Sequence, residues 1–274
     1  MRSPDSLTAI EMARLADFSE AHAYETLVEC AAAVGDPTFD TARIGSAIAL
    51  RSRSVRSSVL FNRVIGLGLS EEATEHMLDE AAALYAADKV PWGVELSPPA
   101  RPLELPDWLR KRRMRRGLAT ALLIRSCSDV PDVKTDLRIE RVGPEFGTVV
   151  AGIAAPIFRV APEVKALLEV AATQPGYRQW LAFDGNEPVG SCLSYVRDGA
   201  VWSGWDATLP SHRGRGVHAA FLVARMRDAA EAGCEWCTAE TALGTPENPD
   251  PSYRNFLRMG FKLAYERHTY IALP

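Results

Sequence analysis

The 274-residue chain predicts an α/β protein with a mixed, mostly antiparallel central sheet flanked by helices, built as two halves. Three observations predict it. The stretch "YRQWLAFDGNEPVGSCLSYVRDGAVWSGWDA" sets three apolar runs around Asp184-Gly185 and Asp198-Gly199, dipeptides that adopt positive φ cheaply, so it forms an antiparallel meander. After it comes a helical pattern with Ala219, Leu222, Val223, Met226, Ala229 and Ala230 on one face and Arg225, Arg227, Asp228 and Glu231 on the other, ended by Gly233. Between the halves, "SCSDVPDVKTD" is polar and carries aspartates and a proline, which marks a linker and divides the chain into residues 1–128 and 136–274.

In the first half, Thr8 and Glu11 have the spacing of a capping box, and the helix they open runs to about Val34. "IGSAIAL" and "SSVLFNRVIGLGL" read as strands. Ser70 then caps a helix whose Met77, Leu78, Ala81, Leu84 and Tyr85 share a face. "WGVEL" is a strand, "LPDWLRKRR" a short helix and "GLATALLIR" a strand. In the second half "LRIERV" is a strand, helices are expected over 144–154 and 162–172, and "CEWCTAET" is a strand after the amphipathic helix. Ser252 caps a last helix through Met259, and "FKLAYERHTYIAL" closes the chain as a strand.

Hydrophobic side chains make up 47% of the chain, enough for a large core in one big domain or two ordinary ones. The first residues, "MRSPDSLTAIEMARL", lack the apolar stretch of a secretory signal, and no window approaches the roughly 18 apolar residues of a membrane span. A cytoplasmic protein with no membrane partner is expected. Five cysteines do not form a disulfide framework in a chain this long, and Cys234 and Cys237, although spaced as a redox pair, enter a strand and read as packing. The net charge of −4 argues against nucleic acid as a partner, and the basic run over 110–116, beside Trp108, reads as a solvated helix end. His22, His76, His212, His218 and His268 show no metal-binding spacing, so no metal is expected. Trp202 and Trp205 read as core or pocket wall.

One segment carries a binding signal. "LPSHRGRGVHAAFL" lies between a strand and the N-terminus of the amphipathic helix, where backbone N–H groups lack partners and the helix dipole presents positive charge. Gly214 and Gly216 lack the Cβ atoms that would keep a phosphate from the main chain, and His212, Arg213, Arg215 and His218 add positive charge. A pyrophosphate fits best. The string from Arg63 to Gly68 has the same R-x-x-G-x-G spacing, but its glycines lie in an apolar run and Glu71 and Glu72 follow, charges that repel a phosphate.

Taken with the strand and proline before it in "DATLPSHRGRGVHAAFL", the closing "SYRNFLRMGF" and the meander ahead of both, this loop makes residues 136–274 resemble a GNAT-family N-acetyltransferase. The resemblance covers about half the chain. It implies the GNAT fold, acetyl-CoA as co-substrate, and transfer of the acetyl group to the amine of a small-molecule or peptide acceptor by direct attack on the thioester. It further implies that the main chain of Asp206, Ala207 and Thr208 pairs with pantetheine and polarises the acetyl oxygen, and that Leu209, Arg213, Gly214, Arg215, Gly216, Val217, His218 and Phe256 contact the coenzyme. Two positions depart from the family. His218 stands where Gly or Ala is usual, and Phe256 stands where many members have a tyrosine that protonates the leaving thiolate, which a phenyl ring cannot do.

The first half reads either as a worn relative of the second or as an unrelated α/β domain. "LRKRRMRRGLATALLI" can be laid beside "FLRMGFKLAYERHTYI" with Arg113 and Met114 opposite Gly260 and Phe261. This resembles tandem GNAT proteins with a degenerate N-terminal copy, which implies one coenzyme site, in the second half. For the chemistry, Glu240, on the strand after the helix, is the candidate base, directly or through water, and it also reads as an exposed strand carboxylate pairing with an arginine. Tyr253 and Ser252 are candidates for the acid. A thiol with a pKa of about 8.5 also leaves with water as the proton source. The missing tyrosine and the degenerate first half motivate an alternative, a non-catalytic acyl-CoA-binding or regulatory protein.

Overall fold

The computed structural model describes residues 3–56 and 58–274. Both bonds of the expected capping box open α1 (Ala9–Glu29): the Glu11 N–H donates to Thr8 Oγ1 at 3.3 Å and the Thr8 N–H to Glu11 Oε2 at 2.7 Å. A short α2 (Ala31–Val34) extends it to the residue expected, and Gly35, left-handed at φ 69°, ends it. The first half continues as β1 (Phe39–Ile44), β2 (Ala47–Ser52), β3 (Arg63–Ile65), α3 (Glu75–Ala86), β4 (Trp92–Leu96), α4 (Leu105–Lys111) and β5 (Arg115–Ser126). The second comprises β6 (Arg138–Val142), α5 (Gly147–Phe158), α6 (Pro162–Val170), β7 (Tyr177–Asp184), β8 (Glu187–Arg197), β9 (Ala200–Thr208), α7 (Val217–Glu231), β10 (Trp236–Ala242), α8 (Pro251–Arg258) and β11 (Lys262–Ala272).

Several boundaries differ from expectation for local reasons. "IGSAIAL" contains a turn, because Ile44 pairs with Ala47 and Gly45 between them is left-handed at φ 57°; β1, rich in polar residues, carries no apolar alternation to announce it. Only residues 63–65 of the next apolar run are strand, since Gly66 and Gly68 are both left-handed. The helix after it is capped by Thr74, whose Oγ1 accepts from the Met77 N–H at 3.2 Å, and not by Ser70. Likewise Asp250 caps α8 in place of Ser252, its Oδ1 accepting from the Ser252 N–H at 2.7 Å, a stronger charge-assisted bond. Arg225, placed on the polar face of α7, is fully buried.

The eleven strands form one sheet in the order β1-β2-β3-β4-β11-β5-β10-β9-β8-β7-β6. The last strand of each half has crossed over: β11 lies between β4 and β5, and β5 between β11 and β10. Both are entered by the same helix ending. At Arg113 (φ 59°) and Gly260 (φ 77°) the chain turns left-handed, and the next residue's N–H returns to a carbonyl five residues back, Met114 to Leu109 at 3.1 Å and Phe261 to Phe256 at 3.0 Å. These are the positions that the sequences set side by side.

One face of the sheet is covered by α1, α2, α5 and α6 over a core that includes Leu27, Ile48, Leu50, Phe61, Leu167, Leu168 and Leu181. On the other face α3 and α4 cover the first half around Leu78, Tyr85, Leu105 and Leu109, and α7 and α8 cover the second around Leu222, Met226, Phe256 and Phe261. Each such side chain stabilises the fold by about 1.5–3 kcal/mol. No helix among the described residues is long and apolar enough to cross a membrane.

Candidate active site

Strands β9 and β10 pair in parallel from Ala200 and Trp236 only as far as Ser203 and Ala239, while β9 runs on to Thr208 and β10 to Ala242. Beyond that point they part. A bulge drives the parting: Ser191 pairs with Ala207 and Leu193 with Gly204, so Trp205 and Asp206 together face Cys192 alone. Trp205 takes a left-handed φ of 58°, costly for a bulky residue, and is held there by an edge-on contact with Phe158 at 5.1 Å. The main chain of Asp206, Ala207 and Thr208 thus borders a gap on its β10 side.

Asp206 anchors this bend from below. Its two carboxylate oxygens accept from Arg225 Nη1 and Nη2 at 2.9 and 2.6 Å, and Arg225 also donates to the Leu193 carbonyl at 3.1 Å. A guanidinium with no exposed surface needs that pairing. Helical periodicity places Arg225 correctly on α7, but it cannot see the carboxylate that the sheet offers beneath it.

From Leu209 the chain passes to α7, whose cap, Gly216, is left-handed at φ 80° and supplies no capping side chain. The N–H groups of the first turn therefore point unpartnered at the loop, together with the dipole of a 15-residue helix. Gly214 is left-handed at φ 79° with open space where a Cβ would stand, whereas a Cβ on Gly216 would come within 2.6 Å of the Lys134 carbonyl oxygen. The linker is thus laid directly against the loop. Between them opens a cleft of about 580 Å³, lined by Thr208, Arg213, Gly216 and His218 on one side and by Lys134 and Arg258 on the other. Lys134, Arg213 and Arg258 have no carboxylate within ion-pair distance among the described residues. Arg215 is different, gripped by Asp136 and Asp184 at 2.5 Å each.

Lys134 and Arg258 were not foreseen. Arg258 shares a face of α8 with Asn255 and Pro251, which also line the cleft, so helical spacing held a signal; Lys134 reaches the loop only through the fold. Val217 is buried beneath the loop, against Phe221 and Val189. His218 turns its ring edge-on to Phe256 at 5.1 Å, with Nε2 3.8 Å from Asp206 Oδ1, and neither ring nitrogen makes a hydrogen bond. Burial holds it below the usual histidine range. Tyr253 packs into the α7–α8 core and Ser252 lies at the start of α8; neither lines the cleft.

Glu240 is the first β10 residue past the pairing with β9, and it points to the α1 face of the sheet, opposite α7. Its Oε2 lies 3.3 Å from Arg267 Nη2 and 3.9 Å from Arg63 Nη1. Burial, followed by the nearby charge of Glu20, raises its carboxyl to about 7, against the pull of the two arginines. The decoy motif is resolved as well. Arg63 opens β3 and turns its side chain into this interior cluster, and Glu71 and Glu72 precede α3 instead of opening it, Glu71 accepting from the Ser46 N–H at 2.5 Å. All five cysteines are free and buried, and burial pushes Cys237 up to about 11. Among the described residues no group of three or more His, Cys, Asp or Glu side chains is arranged to hold a metal ion.

No protein-family model and no curated protein matches the chain. Solved structures do. A GCN5-related N-acetyltransferase from Kribbella flavida superposes with a TM-score of 0.63 at 18% identity, covering 95% of each chain. A tandem GNAT protein from the clavulanic acid biosynthesis pathway superposes with a TM-score of 0.59 at 16% identity, covering 94% of this chain and 95% of its own. For a GCN5-related N-acetyltransferase from Sphaerobacter thermophilus the values are 0.56 and 14%, over 77% of this chain and 71% of that one. Likeness at such identities reports fold: this chain has a GNAT-like fold, shared over nearly its whole length with the first two, of which the second is a tandem GNAT protein.

Proposed function

We propose that the protein is an N-acetyltransferase that moves the acetyl group of acetyl-CoA to an amine, with residues 1–128 as a degenerate GNAT-like unit and residues 136–274 as the unit that binds the coenzyme. The observation that carries this reading is the parting of β9 from β10 just upstream of an uncapped helix, beside a cleft lined by Lys134, Arg213 and Arg258, which meet no carboxylate among the described residues. The residues present fit the coenzyme. Pyrophosphate would take the N–H groups around Gly214 and Gly216 and the charge of Arg213, with Lys134 and Arg258 across the cleft. Arg215, already neutralised by Asp136 and Asp184, would hold the loop in shape. The pantetheine arm would pair with the free edge of Asp206, Ala207 and Thr208, next to Leu209, His218 and Phe256.

The acceptor nitrogen then attacks the thioester carbon, the C–N bond forms, and the C–S bond breaks with its electron pair going to sulfur. Glu240, at the mouth of the gap, takes the proton from nitrogen. A base near 7 is well matched to that task at neutral pH. Phe256 has no hydroxyl, and a thiol with a pKa of about 8.5 needs little help to leave, so the thiolate takes its proton from water. Five free, buried cysteines suit the reducing cytoplasm.

Calorimetry with coenzyme A and a thiol-release assay with a broad amine panel test the reading. Binding that Arg213→Glu abolishes, together with amine-dependent release, is the expected outcome. Binding without release from any amine would favour a non-catalytic acyl-CoA-binding protein, and no binding would sink both.

A further inference from the structure

The carboxylate at the mouth of the gap does not stand alone. Asp17 and Glu20 from α1, Glu95 from β4 and Glu240 from β10 meet Arg63 from β3 and Arg267 from β11, with the ring of Tyr24 4.8 Å from the Arg63 guanidinium. Four carboxylates face two guanidiniums, so the cluster is two positive charges short of balance. The shortage is not shared evenly. Asp17 takes Arg267 Nη1 at 2.8 Å, the Tyr265 hydroxyl at 2.8 Å and the Ser97 hydroxyl at 2.5 Å. Glu20 takes Arg63 Nη2 and Arg267 Nη2, one on each oxygen, both at 2.7 Å. Glu95 takes Arg63 Nη1 at 3.1 Å and the Thr269 hydroxyl at 3.0 Å. Glu240 is left with the looser contacts, at 3.3 and 3.9 Å, and it alone of the four reaches the surface, with 19% of its side chain exposed against 3% or less for Glu20 and Glu95.

Glu95 and Glu240 occupy the same place in the two halves. Glu95 pairs with Thr269 and Glu240 with Leu122, and Thr269 and Leu122 are themselves equivalent once Arg113 is set beside Gly260. One of the two glutamates has been sealed into the cluster, and the other is partly exposed. Glu20 bonds both arginines, Arg63 beside Glu95 and Arg267 beside Glu240. It claims the near end of Arg267, the same Nη2 that Glu240 approaches, and brings a second negative charge to that point.

We propose that Glu20, a residue of the first half, is a positioning residue for the chemistry of the second: by occupying Arg267 ahead of Glu240 it keeps the Glu240 carboxyl basic enough to take the acceptor's proton. This rests on the acetyltransferase reading for its purpose, but not for its physics. It also gives the first half a task beyond supplying strands, since α1 carries the charge that sets the base. The direction of the Glu240 shift agrees, Glu20 being its largest cause after burial.

The test reads Glu240 directly. Its carboxyl is followed by carbon NMR in the full-length chain labelled at glutamate, the signal being identified by its loss in Glu240→Gln. In the unaltered protein it should titrate well above the ordinary glutamate range, and in Glu20→Gln it should move down by about one pH unit or more, as removal of a neighbouring like charge requires. The acid limb of the kcat/KM profile should follow it down by the same interval. A Glu240 that titrates as an exposed glutamate in the unaltered chain overturns the proposal, whether or not Glu20→Gln folds. Turnover with neither the signal nor the limb moving in a folded Glu20→Gln overturns it too. A signal that moves while no amine releases thiol supports the coupling and overturns the acetyl-transfer reading alone.

Discussion

Thr120 and Arg267 face each other across the β5–β11 ladder, and they are the same position of the two halves when Arg113 is set beside Gly260. Equivalent residues that pair with one another mark a local two-fold axis between the halves. The exchange of last strands follows from it, because each half completes the other's sheet. A chain cut at the linker should therefore fail on both sides: residues 136–274 alone would leave β10 and β11 without β5, two exposed edges in the middle of a core. Size-exclusion chromatography and far-UV circular dichroism of that fragment should show aggregate or unfolded chain, and co-production with residues 1–128 should restore one folded species. A monodisperse, folded fragment would count against the exchange.

What the sequence could disclose was set by how local each cause is. Asp198-Gly199 turns the β8–β9 hairpin with both residues left-handed, at φ 49° and 74°, and that chemistry is written in two letters. At the other hairpin the turn residues are Gly185 and Asn186, one step later than Asp184-Gly185, with only Gly185 left-handed. The glycines of the loop at Gly214 and Gly216 were legible as turn formers, since both are left-handed, at φ 79° and 80°. Arg225 was not, because its partner Asp206 comes from a strand beneath the helix. Nor was the company of Glu240: Glu20, Arg63 and Arg267 come from three elements spread over both halves, and only the crossing of β11 brings the last of them in.

Breaking the Asp206–Arg225 pair should be expensive for the fold as a whole. Asp206→Ala leaves a fully buried guanidinium without its carboxylate, a change that costs about 3–5 kcal/mol when one partner of a buried pair is removed. Urea unfolding should show the midpoint falling accordingly. A loss under about 1 kcal/mol would mean that water reaches Arg225 in place of the carboxylate.

The two loop glycines should respond unequally. Both are left-handed, so alanine at either strains the backbone by about 1–2 kcal/mol. At Gly214 the added methyl meets nothing, but at Gly216 it meets the Lys134 carbonyl and must displace the linker that walls the cleft. Calorimetry should find coenzyme A binding weakened by tenfold or more in Gly216→Ala and by clearly less in Gly214→Ala. Equal losses would mean that a methyl at Gly214 obstructs the phosphate as much as one at Gly216 displaces the linker.

Glu240→Gln should separate stability from activity. A carboxyl raised to about 7 in the folded chain, from an ordinary value near 4.5, holds a proton that the unfolded chain has released across that interval. Its cost to the fold is thus absent below about pH 4.5, grows as the pH rises, and is complete above about 7. Glutamine carries no such cost. The variant should match the unaltered protein near pH 4.5 and exceed it at pH 8 by something on the order of 3 kcal/mol in urea unfolding, while thiol release falls by about a hundredfold. A base kept in place against the interest of the fold is what this pairing of gain and loss would mean. A stability difference that does not change with pH would show that the folded chain leaves Glu240 with an ordinary carboxyl, and the charge imbalance around Arg267 would have to be met elsewhere.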